Sequence, residues 1–325
     1  MTMQLSLYLL NIIWLSFVTI TLIIVIRFFI YVLKRRWLKN KFQLMWAPVS
    51  SVERRSNLSY EEFVRDYASV GKPVIITDAM KDWKAMSKWT TDFFRSEYGS
   101  TSFLVTDVRT QTPVDMTVAE YLDRMSAGNC ENFLYMRSLR IALNPKLYKD
   151  YKIPIYFPDW LQRLPQKLLI KYRLDLYDLY IGAKDTSIGI HYDTLDAPAW
   201  VSLINGRKKI VLFTPDFTPD PKDIVSYGKD ETFNGDVEKF PLYAQANPVE
   251  VTLEPGEIIY IPPKWWHLVK NLENSISLNA NMINEWSSEI VYSCLSKEHP
   301  IKGEILPLIL EFPWLGRALF AIGLI

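Results

Sequence analysis

The sequence predicts a mainly β domain with flanking helices, preceded by one N-terminal transmembrane helix. Three observations carry this expectation. From residue 174 onward, short apolar runs of strand length follow one another, separated by turn residues, the pattern of a sandwich or barrel. Between residues 53 and 128, helix-like and strand-like segments alternate. Residues 5–26, LSLYLLNIIWLSFVTITLIIVI, contain no charged side chain.

That last run has 22 residues. At the α-helical rise it reaches about 33 Å, enough to cross a hydrocarbon core of about 30 Å. Arg27 follows, able to snorkel on its apolar stem, and then FFIYVL. A cleaved leader fits poorly, because no basic segment precedes the run, the run is too long and no small-residue cleavage site follows. Residues 5–33 are therefore expected to form a signal anchor. Lys34, Arg35, Arg36, Lys39 and Lys41 lie behind it, in a basic linker over 34–52. By the positive-inside rule the chain is a single-pass membrane protein with its main domain in the cytosol. The sequon Asn57-Leu58-Ser59 argues weakly for the lumenal side, and the charge asymmetry outweighs it.

Bulk composition excludes several classes. With 325 residues and a net charge of +1, no excess of cations marks a nucleic-acid-binding surface. Two cysteines, Cys130 and Cys294, make neither a disulfide framework nor a cysteine-based zinc site.

The globular pattern starts near residue 53. SNLSYEEFVRDYASV reads as a helix with Ser59 as N-cap, Glu62 three residues on, and Phe63, Tyr67 and Val70 on one face. KPVIITDAM and TSFLVTDV read as strands, WTTDFFRSEYG as a helix closed by Gly99, and TVAEYLDRMSAG as a helix ending near Gly128. Residues 141–170 hold four prolines and read as irregular ground. The strands that follow are LDLYDLYIG, IGIHYD and AWVSLINGRKKIVLFTP, the last read as a hairpin about Asn205-Gly206. A Pro- and Asp-rich insertion occupies 216–247. VEVTL, IIYIPP, WWHLVKNL and SISLNANMI complete the set. The tail, 291–325, is apolar, but Pro307, Glu311, Pro313 and Arg317 make it a poor spanning helix. Packing on the domain is its simplest role; a homodimer contact and the membrane interface are the alternatives.

Within this frame one constellation carries chemistry. Residues two apart on a strand share a face, so His191 and Asp193 of GIHYD point together. His267 sits on a later strand that a barrel can bring alongside. Two imidazoles and a carboxylate on one face hold Fe(II) and leave the opposite positions open, unlike a closed structural zinc site.

In order, the motifs are KPVIITD, WTTDFFRSEYG, HYD, NGRKKIVLFTP, LEPGEIIYIPPKWWH and SISLNAN. Over residues 53–290 this set resembles the JmjC or cupin-like Fe(II)- and 2-oxoglutarate-dependent oxygenases, in particular the small hydroxylase branch. The resemblance implies a double-stranded β-helix, or jelly roll, as the catalytic domain. It implies His191, Asp193 and His267 as iron ligands and Lys208 as the partner of the far carboxylate of 2-oxoglutarate, with Lys209 as rival on the opposite face. Tyr180, Asn279 and Asn281 fall where the family lines the cosubstrate pocket. Trp265 and Trp266 are expected at the barrel mouth, and Trp200 and Asp196 toward a substrate channel. Where the related asparaginyl hydroxylase has threonine, three residues before the first iron histidine, this chain has Ile188. The implied activity is hydroxylation or N-demethylation, using O₂ and 2-oxoglutarate, of an unidentified protein side chain, RNA base, lipid or small molecule. A silent cupin-like scaffold and a metal-dependent cupin that does not use 2-oxoglutarate are the competing readings.

Overall fold

The computed structural model describes residues 2–41, 46, 49–127, 133–217 and 247–323. Most of the 216–247 insertion, Gly128, Cys130 and part of the basic linker lie outside the described residues. The chain divides into two compact units, 1–43 and 44–325.

The first unit is one helix, α1 (Thr2–Lys41). Its 26-residue stretch Ile12–Trp37 contains an 18-residue window of mean hydropathy 2.4 and is long and apolar enough to cross a membrane. Its polar groups are satisfied internally: the Thr19 and Thr21 hydroxyls donate to the carbonyls of Leu15 and Phe17 at 2.7 and 2.8 Å. A bilayer core demands that economy.

The second unit begins with β1 (Glu53–Arg55) and α2 (Tyr60–Phe63). The expected capping box is present. Ser59 Oγ accepts from the Glu62 amide at 3.1 Å, and the Glu62 carboxylate accepts from the Ser59 amide at 2.9 Å. A π-helical turn, Val64–Ala68, continues the helix and buries Tyr67 beside Phe63. β2 (Val74–Ile76), α3 (Ala85–Lys88), α4 (Thr91–Tyr98), β3 (Ser102–Asp107), β4 (Thr112–Thr117), α5 (Val118–Ser126) and β5 (Leu134–Arg140) follow. Gly99 does close α4, but in right-handed conformation with φ −53°. Residues 141–163 form 3₁₀ turns that lead to α6 (Gln166–Tyr172).

Eight strands then build the sandwich: β6 (Tyr177–Gly182), β7 (Ser187–His191), β8 (Ala199–Asn205), β9 (Lys208–Phe213), β10 (Val249–Leu253), β11 (Ile258–Ile261), β12 (Trp266–Asn271) and β13 (Ser275–Asn281). One sheet runs β1-β2-β11-β8-β13-β6-β5-β3-β4 and the other β10-β9-β12-β7. This corrects the expected hairpin. β8 and β9 are joined by Asn205-Gly206 but lie in different sheets, so the turn carries the chain across the sandwich. Gly206 has φ +79°, and a Cβ there would meet the Asn274 carbonyl oxygen at 2.3 Å, so the crossing needs glycine.

Side chains from both sheets fill one end of the interior: Val201 and Leu203, Ile210 and Leu212, Val251 and Leu253, Ile259 and Ile261. β8 is buried on both faces because an aromatic layer covers its outer side. Phe157 stacks on Trp200 at 5.8 Å and on Tyr260 at 6.0 Å, and Phe63 meets Tyr260 edge-on at 5.1 Å. The tail forms α7 (Ser288–Glu298), α8 (Pro300–Glu311) and α9 (Pro313–Ala321). It packs on the protein: Val291, Leu295, Leu306, Ile309 and Leu310 share a core with Leu161, Leu164 and Ile283.

Asp159 ties the 3₁₀ turns to the end of β13. Its buried carboxylate accepts from the amides of Leu161 and Ile283 at 3.1 and 3.2 Å and from the Tyr177 hydroxyl at 3.3 Å. Burial pushes it from 3.8 up to about 6. The folded chain therefore holds this proton more tightly than the unfolded chain. The stability this gives is complete below about pH 4 and is lost as pH rises through about 6, a swing of about 3 kcal/mol. Asp159→Asn, which keeps an acceptor without the charge, is expected to gain stability relative to wild type as pH rises from about 4 to about 7. Denaturant unfolding across that range checks this, and a constant difference between the two proteins refutes it.

Candidate active site

The site is built on the four-stranded sheet. His191 ends β7, and His267, the second residue of β12, is its direct antiparallel partner. The imidazole centroids lie 4.2 Å apart. A β-bulge between the strands sets this aim: from His267 to Val269 is two residues, while the matching step from His191 to Ile188 is three. The extra residue lies on β7 and puts Ile188 and His191 on the same cavity wall.

Asp193 sits two residues beyond His191, with Oδ2 at 3.9 Å from His267 Nε2. One donor atom from each of the three residues falls within 4.8 Å of the others. His191 Nδ1 is 2.8 Å from the Gly189 carbonyl and His267 Nδ1 is 3.2 Å from the Trp265 carbonyl. A carbonyl only accepts, so each Nδ1 carries the proton and each Nε2 keeps a lone pair. Burial, and then the adjacent imidazole of His267, push His191 down to about 4. It is neutral at physiological pH, as a metal ligand must be.

Backbone strain flanks the ligands. Leu195 and Asp196, just after Asp193, have φ 61° and 55°, and Lys264, three residues before His267, has φ 64°. Non-glycine residues in this region are held there by their surroundings. Leu195 packs against the core formed with the C-terminal helices, and Lys264 reaches Asp196 at 3.5 Å. The two ligand-bearing loops are thereby braced against each other.

The triad opens into a small cavity, partly open to solvent, whose walls include Tyr180, Ile188, Val201, Val269, Asn279 and Asn281. Tyr180, Asn279 and Asn281 thus line the same cavity as the triad. The Asn279 Oδ1 is buried without a hydrogen-bond partner, while Asn281 Nδ2 donates to the Pro198 carbonyl at 3.4 Å. Strand alternation separates the two lysines. Lys209 points outward and pairs with Glu250 at 2.8 Å. Lys208 is 1% exposed and donates to the Tyr135 hydroxyl at 2.9 Å. Among the described residues no carboxylate pairs with it. A buried ammonium without a counter-ion is costly unless an anion joins it.

Tyr135 is the residue that sequence reasoning missed. It lies on β5, which carries none of the motifs, and faces Gly182 across the β5–β6 pair. Tyr180, whose ring lies 6.1 Å from that of Tyr135, lines the cavity, but the phenol hydrogen-bonded to Lys208 belongs to Tyr135. Trp200 does not face a channel: it is fully buried in the aromatic layer, because alternation along β8 turns it away from Val201. Trp265 is buried and donates from Nε1 to the Gly71 carbonyl at 3.0 Å, and Trp266 meets Tyr192 at 4.5 Å.

Residues 60–286 match the family model of the cupin-like domain. The chain belongs to the cupin-like family. Its relatives within reach of sequence comparison include the lysine-specific demethylase JMJ21 of Arabidopsis thaliana, 31% identical over 72% of this chain and 26% of that protein. The bifunctional arginine demethylase and lysyl-hydroxylase psr-1 of Caenorhabditis elegans is 27% identical over 75% of this chain and 64% of its own. The 2-oxoglutarate and iron-dependent oxygenase JMJD4 of Gallus gallus is 26% identical over 77% and 64%. This cupin-like chain thus spans between about a quarter and just under two thirds of these relatives.

The donor set suits a divalent transition metal. It offers two neutral imidazoles and a carboxylate on one side and an open cavity on the other. His191→Ala and Asp193→Ala are each expected to weaken Fe(II) or Co(II) binding by about 100-fold or more while the unfolding midpoint moves little, since each removes a ligand at the cavity rather than core volume. Metal titration with a parallel thermal melt measures both; unchanged metal affinity in either variant refutes the assignment.

Proposed function

We propose that the chain is an Fe(II)- and 2-oxoglutarate-dependent oxygenase, a hydroxylase or N-demethylase, held at a membrane by α1. The carrying observation is the pairing of an open two-histidine, one-carboxylate face with a buried lysine that lacks an anionic partner. Family membership and the names of the relatives support the same reading.

In this reading His191, Asp193 and His267 hold the iron through His191 Nε2, His267 Nε2 and the Asp193 carboxylate. The Gly189 and Trp265 carbonyls fix the two rings by accepting from Nδ1. Lys208, hydrogen-bonded to the Tyr135 hydroxyl, is assigned the far carboxylate of 2-oxoglutarate. Tyr180, Asn279 and Asn281 supply polar walls, and Ile188, Val201 and Val269 exclude water from the reacting face. Ile188, where the related hydroxylase has threonine, offers no side-chain donor, which leaves more of the grip to Lys208 and Tyr135. Iron and 2-oxoglutarate, when bound, supply an O₂-derived oxidant for a C–H bond, with succinate and CO₂ as coproducts.

Two relatives carry lysine or arginine in their names as the residue acted on, so a protein side chain is the substrate class to test first. Lys208→Ala is expected to raise the KM for 2-oxoglutarate by about 30-fold or more, from the loss of one partner of a buried charge pair. Succinate release measures it, and an unchanged KM removes 2-oxoglutarate from the assignment. Comparing products of wild type and Asp193→Ala for a single added oxygen identifies the substrate. For α1, protease treatment of sealed membranes is expected to cleave the domain from the cytosolic side, as the five cations between Lys34 and Lys41 direct. A protected domain glycosylated at Asn57 reverses that topology.

A further inference from the structure

The neutral bulk charge conceals a local excess. Across residues 140–174 and 313–323, every exposed side chain that is charged at neutral pH is a cation. The carboxylates in these segments, Asp150 and Asp159, are buried, Asp150 against Lys88 and Asp159 on backbone amides. Lys146, Lys149, Lys167, Lys171, Arg173 and Arg317 are exposed. Among the described residues none of the six is joined to a carboxylate.

These segments form one stretch of surface. The Gln166 side chain donates to the Ala142 carbonyl at 3.1 Å, which joins α6 to the 3₁₀ turns. Lys171 lies 5.4 Å from the Phe320 ring, and Leu164 packs beside Gly316, which joins α6 to α9. Large apolar side chains of the same segments are exposed as well: Leu143 is 57% exposed, Ile155 68%, Trp314 51% and Ile322 69%.

We infer that this face docks on the anionic surface of a lipid bilayer, so that the oxygenase domain lies against the membrane rather than hanging free from its anchor. Unpaired lysines and arginines are attracted to anionic headgroups. Exposed Leu, Ile and Trp side chains enter the headgroup boundary, which a nucleic-acid surface does not require. The inference takes its setting from the reading of α1 as a membrane anchor, but its chemistry belongs to residues 140–174 and 313–323. Oxidation would then be directed at substrates presented at a membrane surface.

The test uses the full chain in lipid nanodiscs, either neutral phosphatidylcholine or the same lipid with about 30% phosphatidylserine, with lysine acylation read by mass spectrometry. Lys146, Lys149, Lys167 and Lys171 are expected to lose reactivity about fivefold or more in the anionic discs and to regain it at high salt, while Lys81 and Lys84 do not change. K167E/K171E is expected to restore the reactivity of Lys146 and Lys149 in anionic discs without changing 2-oxoglutarate turnover, since neither residue lines the cavity. Equal labelling in both kinds of disc overturns the inference. So does protection that appears only when RNA is added, which assigns the face to nucleic acid. Co-purification with neutral discs reports on α1 alone. If the chain does not enter them, the same labelling on anionic against neutral vesicles decides the face by itself.

Discussion

The register between β7 and β12 is the constraint on which the rest depends. His191 and His267 are 76 positions apart in the chain, yet each is the other's direct partner across one antiparallel pair. A slip of one residue would turn either imidazole to the outer face. The register is held from the inner side of the sheet, since β7 is its edge strand. β9 pairs with the other edge of β12 from Phe213 to Lys208, and β10 pairs with β9. The bulge on β7 then supplies the local rotation that aligned strands alone would not give. The pairing that sets the two imidazoles also sets the lysine. Lys208 faces Asn271 at the far end of the β9–β12 pair, so one ladder places His267 of the triad at one end and a buried cation at the other.

Apolar and polar groups share the interior of the sandwich. Valine, leucine and isoleucine from both sheets form a core, and two of its members, Val201 and Val269, also line the triad cavity. Buried polar groups are satisfied in chains: Ser275 donates to Asn271, Asn271 to Thr186, and Lys208 to Tyr135. Polar groups this deep are tolerated when they are paired. The C-terminal helices serve this arrangement from outside. They lie beyond the matched family region, yet their core takes in Leu195, held in a left-handed conformation two residues after Asp193. A segment outside the match thus steadies the loop that carries one of the three ligands.

Much of this was legible in the residues. The Ser59 capping box, the helix ending at Gly99 and most strands of the sandwich follow local rules of capping, alternation and turn chemistry, and the structure has them. The His-x-Asp pair was readable as a candidate metal site because residues two apart on a strand share one face, and the structure brings His267 to it. The hairpin at Asn205-Gly206 failed for a physical reason. The dipeptide specifies a tight turn, but whether the outgoing strand pairs with the incoming one or crosses to another sheet is decided by competing partners. β13 and β11 take both edges of β8, leaving β9 to pair with β10 and β12.

What the sequence determined by itself was the chemistry available and the local geometry: which donors exist, which face each strand presents, and where one long apolar helix lies. What only the tertiary structure decided was company. It assigned the buried position to Lys208 and an outward ion pair to Lys209, and it brought Tyr135 from an unmarked strand to the lysine. It also withdrew Trp200 into an aromatic layer and gathered cations from distant segments onto one surface. Periodicity and capping act over a few residues and are written in the chain. Pairing across sheets and burial depend on residues far apart in sequence, and only folding brings them together.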